Sequence, residues 1–394
     1  MRDEAGDSTP VKFNDVNLSS CVTELPTPIL SLHGKNRSLP TIMKRHIRQY
    51  ISLIALGILG IVFVPGCRAD GPYHFLKEIA VGGEGGWDYL SIDEGARRLY
   101  LSHATKVVVI DLDKDEVVGE IADTPGIHGL APAPELQRGF TSNGRESKAS
   151  IVDLKTLKTL SKVDTGENPD AILYEPGQQE VYTFNGRGQS ATVFEAKTGK
   201  VVATITLPGK PEFAAADSKA GRVYDNIEDK SVVVAIDTKT HQVTNTWAIA
   251  PGEEASGMAI DLAHHRLFLG CGNKLMVMMD SATGKVVGTV PIGDRVDANA
   301  FDPGTQFAFS SNGDGTVTVA HEESPDKLIV VQTLVTERGA RTMALDPKTH
   351  RIYLASAKYE PQPVPTPDAP RQRPKIVPGS FKVLVYGMDR AAGR

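Results

Sequence analysis

Leu173 to Gly209 reads LYEPGQQEVYTFNGRGQSATVFEAKTGKVVATITLPG. Four apolar runs are separated by turns built from Pro, Gly, Gln, Asn and Lys. Short runs rich in Val, Ile and Tyr between such turns read as β-strands. The stretch therefore predicts four strands joined by tight hairpins.

The same pattern recurs along the chain. The third strand of each unit ends VVVID at Asp111, SIVD at Asp153, TVFE at Glu195, VVAID at Asp237, VMMD at Asp280, TVAH at His321 and VLVYG at Gly387, in steps of 42, 42, 42, 43, 41 and 66 residues. The unit starts align independently: LSID at Asp93, LYEP at Glu175, AAAD at Asp217, AID at Asp261, AFDP at Asp302 and ALDP at Asp346, with Ala133 standing for the acid in the second unit. Each start precedes a turn and a strand such as RRLYLS, GRVYDN or HRIYLA. Four strands in about 42 residues is the arithmetic of a β-propeller blade. Nearly continuous apolar runs such as VVVAI suit blades packed on both faces.

Six units are complete. The seventh, from Arg341 to about Arg390, holds three strands, and His74 to Val81, HFLKEIAV, matches the missing fourth. The expected fold is all-β: a seven-bladed propeller spanning residues 73–390, with the N-terminal strand closing the ring in the last blade. Closure removes open sheet edges.

The rest of the chain narrows the function. Net charge is −5 and aromatics are 6% of residues, so phosphate-backbone binding, and with it nucleic acid, is not expected. The three cysteines, Cys21, Cys67 and Cys271, form no C-x-x-C, which leaves zinc ribbons, dithiol redox motifs and c-type haem attachment without support.

Met43 to Cys67 reads MKRHIRQYISLIALGILGIVFVPGC. Lys44, Arg45 and Arg48 precede fourteen apolar residues, Ile51 to Val64. Such a helix would span roughly 21 Å at about 1.5 Å per residue, short of the roughly 30 Å hydrocarbon core. A basic start and a short apolar core make an export signal. Val64-Pro65-Gly66-Cys67 resembles a lipoprotein box, which implies lipidation of Cys67, although Pro65 departs from that box; a short uncleaved anchor is the alternative. Residues 1–42 carry no repeat. They are either a disordered tail or an extension ahead of a true start at Met43. The expected location is extracytoplasmic, in a bacterial periplasm or cell envelope, with the membrane reached through the signal or its lipid.

The units R-L-Y-L-S, E-V-Y-T-F-N and R-I-Y-L-A, followed by V-x-V-I-D and Thr-Gly-Lys turns, resemble the YVTN-repeat (YncE-like) β-propellers over about four-fifths of the chain. No unit reads Tyr-Val-Thr-Asn in full; Asn143, Asn185, Asn226 and Asn312 lie at or near its Asn. The resemblance implies a fold that hosts binding proteins, electron-transfer subunits and lactonases, so it speaks to fold more than to activity.

Five residues before each unit's first acid lies the entrance of the innermost strand: Asp88, His128, Asp170, Glu212, Ser256, Asp297 and Arg341. All seven are polar and are expected to ring the mouth of the central channel. Asp88, Asp170, Glu212 and Asp297, with His128, offer ligands for a divalent cation, the one cofactor the sequence suggests; alternatively Arg341 and His128 hold an anionic group. The alternative is that they face channel water and satisfy strand-end amides. The same face carries His103, Asn143, Arg145, Lys148, Asn185, Arg187, Asn273, Asn312 and Asp314, most of which suit tight turns. Residues 358–379, PQPVPTPDAPRQRPKIVP at their heart, form a Pro-rich insertion expected to overhang this face as a lid, a docking arm or a tolerated insertion.

Other motifs are set aside. Asp111, Asp113 and Asp115 open like a calcium loop, but Glu116 and Ala122 break it. Gly186 to Ala191 mimics a dinucleotide loop with no helix after it. His264 and His265 lie in a turn on the opposite face without an H-E-x-x-H acid, and Cys271 reads as a small turn residue. No nucleophile elbow or phosphate loop occurs. The expected function is non-catalytic: an extracytoplasmic scaffold presenting its loop face and channel mouth to an unknown protein or small-molecule ligand. The alternatives are a metal-assisted hydrolase of lactonase type and an accessory of a periplasmic redox system.

Overall fold

The computed structural model describes residues 71–361 and 375–389. The export segment, Cys67, residues 1–42 and the body of the Pro-rich insertion lie outside these residues.

The described chain forms seven antiparallel sheets of four strands each. The first blade runs Leu90–Asp93, Arg98–His103, Lys106–Asp111 and Glu116–Ile121 from the inside outward. The second to sixth blades begin with Ile127–Ala133, Pro169–Glu175, Pro211–Asp217, Ala255–Asp261 and Val296–Asp302. The seventh contains Met343–Asp346, Arg351–Ser356 and Lys382–Gly387, and its outer strand is His74–Ala80, which pairs antiparallel with Lys382–Gly387. The predicted closure is present.

The middle strands explain the apolar runs. Both faces of Lys106–Asp111, Ser190–Glu195 and Leu275–Asp280 are buried at four successive positions, because each face meets a neighbouring blade. The third residue of every second blade strand, or its equivalent, is aromatic: Tyr100, Phe140, Tyr182, Tyr224, Phe268, Phe309 and Tyr353, all at most 1% exposed. Each ring belongs to a different one of seven core clusters. Outer strands such as Glu116–Ile121 and Val201–Thr206 are largely exposed.

The turn after each inner strand uses a left-handed residue at one fixed position: Arg97, Gln137, Gln179, Gly221, His265, Gln306 and His350, with φ from 52° to 65°. Repetition of that turn keeps the blades in register.

The inner strands are irregular at their entrances. The register shifts between Ile127 and Leu130, Pro169 and Ile172, Pro211 and Ala214, Ala255 and Met258, and Val296 and Ala298. Each shift spans one of the residues counted above: His128, Asp170, Glu212, Ser256 or Asp297. A bulge takes a residue out of the ladder and re-aims its side chain. Here it does so five times on one face.

Candidate functional site

The channel mouth is built from those bulges. His128 Nδ1 lies 2.7 Å from Asp88 Oδ2 and 3.2 Å from Asp170 Oδ1, which joins the first, second and third blades. The three donor groups lie within 4.8 Å of one another. The Asp88 amide donates to Ser102 Oγ at 2.8 Å, which fixes the segment ahead of the first inner strand. The His128 ring lies against Gly144, where a Cβ would approach Nε2 to 2.7 Å. Glycine at that position is what leaves room for the imidazole.

Across the mouth, Arg341 Nη1 pairs with Asp297 Oδ2 at 2.8 Å. Glu212 is met by Lys210 at 2.8 Å, and Lys210 also reaches Glu228 Oε2 at 2.5 Å. Ser256 stands apart, its hydroxyl 3.5 Å from Glu228 Oε1. Of the four carboxylates grouped by sequence, Asp88 and Asp170 therefore share an imidazole, whereas Glu212 and Asp297 each take a cationic side chain. The compact N/O cluster is Asp88, His128 and Asp170, which narrows the four-carboxylate grouping.

Burial pushes Asp170, Glu212 and Asp297 up to about 7; nearby carboxylates add to the rise, while His128, Lys210 and Arg341 respectively oppose it. Burial alone would lower the His128 pKa; the hydrogen bond to Asp88 and the Asp170 charge outweigh it and raise it. Groups whose folded pKa exceeds the unfolded value hold protons that the unfolded chain has lost, so their contribution to stability falls as pH rises. For the carboxyls this loss runs from the ordinary carboxylate range up to about 7; for His128 it continues through its raised value. In the absence of added cations, the urea midpoint is expected to be higher at about pH 5.5 than at about pH 8. Asp170→Asn should flatten that difference.

Two aromatic side chains meet beneath the ring. Tyr89, from the first blade, donates its hydroxyl across to the carbonyl of Glu212 in the fourth at 3.0 Å. Its ring meets Phe213 edge-on at 5.2 Å. Below them a cavity of about 90 Å³ is lined by residues including Leu130, Ile172 and Phe213. Burial and the surrounding Asp170, Glu212, Asp88 and Asp297 charges hold the Tyr89 hydroxyl well above its usual range. The mouth thus carries a phenol in its floor.

Sequence reasoning missed that floor. A signal existed: the residues after the seven mouth positions are Tyr89, Gly129, Ala171, Phe213, Gly257, Ala298 and Thr342. Two aromatics among small residues are the two that meet on the axis. Lys210 and Glu228 were also missed; both belong to loops that close on the mouth only in three dimensions.

Several loop candidates are structural. Asn143 is buried and bonded to Thr141, Ser150 and Glu146. Asn185 repeats this with Ser190 and Thr192, and Asn312 with Thr316. His103 is buried and stacks on Phe381 at 4.2 Å. Lys148 is drawn sideways by Asp164. Arg145, Arg187, Asn273 and Asp314 remain exposed on the loop face. The base of the Pro-rich insertion is a bridge between Tyr359 and Ile376, and Tyr359 lies 6.4 Å from Trp87.

One reading of another motif is corrected. Cys271 ends the strand Arg266–Cys271 and is 1% exposed; burial pushes its thiol up to about 12. His264, outside any H-E-x-x-H pattern, has acidic neighbours in Asp261, three residues before it, and Glu322 of the next blade. Asp111 accepts the amides of Asp113 and Lys114, the bonding of an ordinary turn.

No family model matches the chain, and no curated protein does. Among solved structures the chain is similar to Kuenenia stuttgartiensis hydrazine synthase, with a TM-score of 0.61 at 15% identity over 71% of this chain and 96% of that one. What the two share is a fold. At this identity the likeness carries neither substrate nor activity across.

Proposed function

We propose that the protein is a YVTN-type binding propeller of the bacterial cell envelope whose channel mouth holds a divalent cation as, or beneath, its ligand. The observation that carries this reading is the Asp88–His128–Asp170 cluster above the Tyr89 hydroxyl, which reaches Glu212. The charge balance of the mouth favours a cation. Among the described residues, Asp88, Asp170, Glu212, Glu228 and Asp297 face the bases His128, Lys210 and Arg341. One imidazole and two carboxylates suit a first-row divalent ion and leave coordination positions open to water or a ligand oxygen. The envelope location rests on the Met43–Cys67 pattern.

A cation there must displace protons from Asp170 and His128, so affinity should rise with pH between about 6 and about 8. Calorimetric titration with Mn²⁺ in two buffers of different ionisation enthalpy reads that proton release directly. A binding heat that does not depend on the buffer would sink the assignment of these residues as ligands.

The same open positions support a second reading, in which the ion polarises a lactone or ester carbonyl for hydrolysis. Turnover of a lactone panel by the Mn²⁺-loaded protein, lost in Asp170→Asn, separates an enzyme from a binding module.

A further inference from the structure

At three junctions the turn of one blade supplies a base to the inner-strand acid of the blade before it. Arg97 grips Asp346 through Nη1 and Nη2 at 3.0 and 2.8 Å. His350 Nδ1 contacts Asp302 Oδ2 at 2.6 Å, and His265 Nδ1 lies 3.7 Å from Asp217 Oδ2. The junction of the fifth and sixth blades is one of the four whose turn residue, Gln137, Gln179, Gly221 or Gln306, carries no charge. Its acid is Asp261, 3% exposed, and the corresponding turn residue is the neutral Gln306. The group that reaches Asp261 from the sixth blade is a second acid, Glu322.

Glu322 is 1% exposed, and neither carboxylate oxygen has a hydrogen-bond partner. An unpartnered buried carboxylate is costly. Its Oε1 lies 3.6 Å from His264 Nδ1, which in turn lies 2.5 Å from Asp261 Oδ2. The Ala263 amide holds the other Asp261 oxygen at 2.9 Å. Arg266 is nearby but already spent on Asp280, Asp326 and the carbonyls of His264, His265 and Pro325. The place that a base fills at those three junctions is here surrounded by two carboxylates and an imidazole.

We infer that Asp261, His264 and Glu322 form a zinc-class divalent-cation site that ties the fifth blade to the sixth, on the face opposite the channel mouth. All three donor groups lie within 4.8 Å of one another. Tetrahedral zinc with nitrogen and oxygen ligands spaces its donors by roughly 3.4 Å. The Glu322–His264 separation already matches, and the Asp261–His264 pair must open by about 1 Å to reach that spacing. His264 sits on a turn with its side chain 35% exposed, so it is the member free to move. The ion is structural: two of its ligands are buried, unlike those of the mouth.

The test uses the full-length protein in detergent, stripped with chelator and then dialysed against micromolar Zn²⁺. Elemental analysis of wild type, Glu322→Gln, His264→Gln and Asp170→Asn gives the stoichiometry, and melting curves give the linkage. One zinc equivalent should be lost in both Glu322→Gln and His264→Gln and kept in Asp170→Asn, which can remove only an ion at the mouth. Zinc should raise the wild-type Tm, and in the two variants the zinc concentration needed for that rise should increase by more than about tenfold. Unchanged stoichiometry in both variants, or a wild type whose Tm ignores zinc, overturns the site. His264→Gln lies on an exposed turn, so it reports even if Glu322→Gln does not fold.

Discussion

Deleting Tyr73 to Gly83 is expected to cost the propeller its cooperative fold, with a fall in Tm of more than about 10 °C if a transition survives. The segment supplies the outer strand of the seventh blade, in register with Lys382–Gly387 from His74 opposite Gly387 to Ala80 opposite Lys382. Tyr73 and Ile79 are 1% and 3% exposed. Burying two such side chains contributes about 4 to 6 kcal/mol before the ladder is counted. Tyr73 also donates its hydroxyl to the His350 carbonyl and exchanges hydrogen bonds between its backbone and the Gln332 amide. Its ring meets Phe309 edge-on at 5.1 Å. The deletion therefore loosens the join to the sixth blade and bares the edge of Lys382–Gly387 for intermolecular pairing. Far-UV melting and light scattering read both effects; an unchanged melting curve contradicts the closure.

Replacing Arg97 with Met should cost about 3 to 5 kcal/mol, because it strands a buried carboxylate. Asp346 is 0% exposed and takes both arms of the Arg97 guanidinium, as well as the Thr349 hydroxyl at 2.6 Å. Burial works against ionisation of Asp346, and the Arg97 and Thr349 bonds outweigh it and hold its pKa below the usual range. A depressed pKa gives stability that is present above the unfolded value and lost as pH falls through the folded one. The difference between wild type and Arg97→Met should thus be largest near neutrality and shrink in acid. Denaturant curves at about pH 7 and about pH 4 test the sign. A pH-independent difference would mean that Arg97 contributes packing alone.

The features legible in the sequence were those set by periodicity. Seven copies of one strand–turn pattern place Tyr100, Tyr182, Tyr224 and Tyr353 at equivalent buried positions, and counting back from the inner acid finds the bulged entrances. The Pro-rich interruption also falls between the two strands expected. What stayed hidden depends on contacts between blades or across the axis. Tyr89 reaches Glu212 from three blades away, a distance no local window senses. His264 finds Glu322 only because the turn of one blade rests on the third strand of the next. Asn143 and Asn185, exposed by loop logic, are buried because their amides tie the hairpin from within. Asp225 is a similar case: it is fully buried, and burial followed by the Glu212 charge raises its pKa, at the position where Thr141 and Thr183 stand in other blades.

The most direct test of the channel-mouth reading is an electron paramagnetic resonance titration of full-length protein with Mn²⁺ at about pH 8, beside Asp170→Asn and Glu322→Gln. The account predicts one Mn²⁺ bound at the mouth, weakened by more than about tenfold in Asp170→Asn and untouched by Glu322→Gln. Equal Mn²⁺ binding in wild type and Asp170→Asn would contradict it.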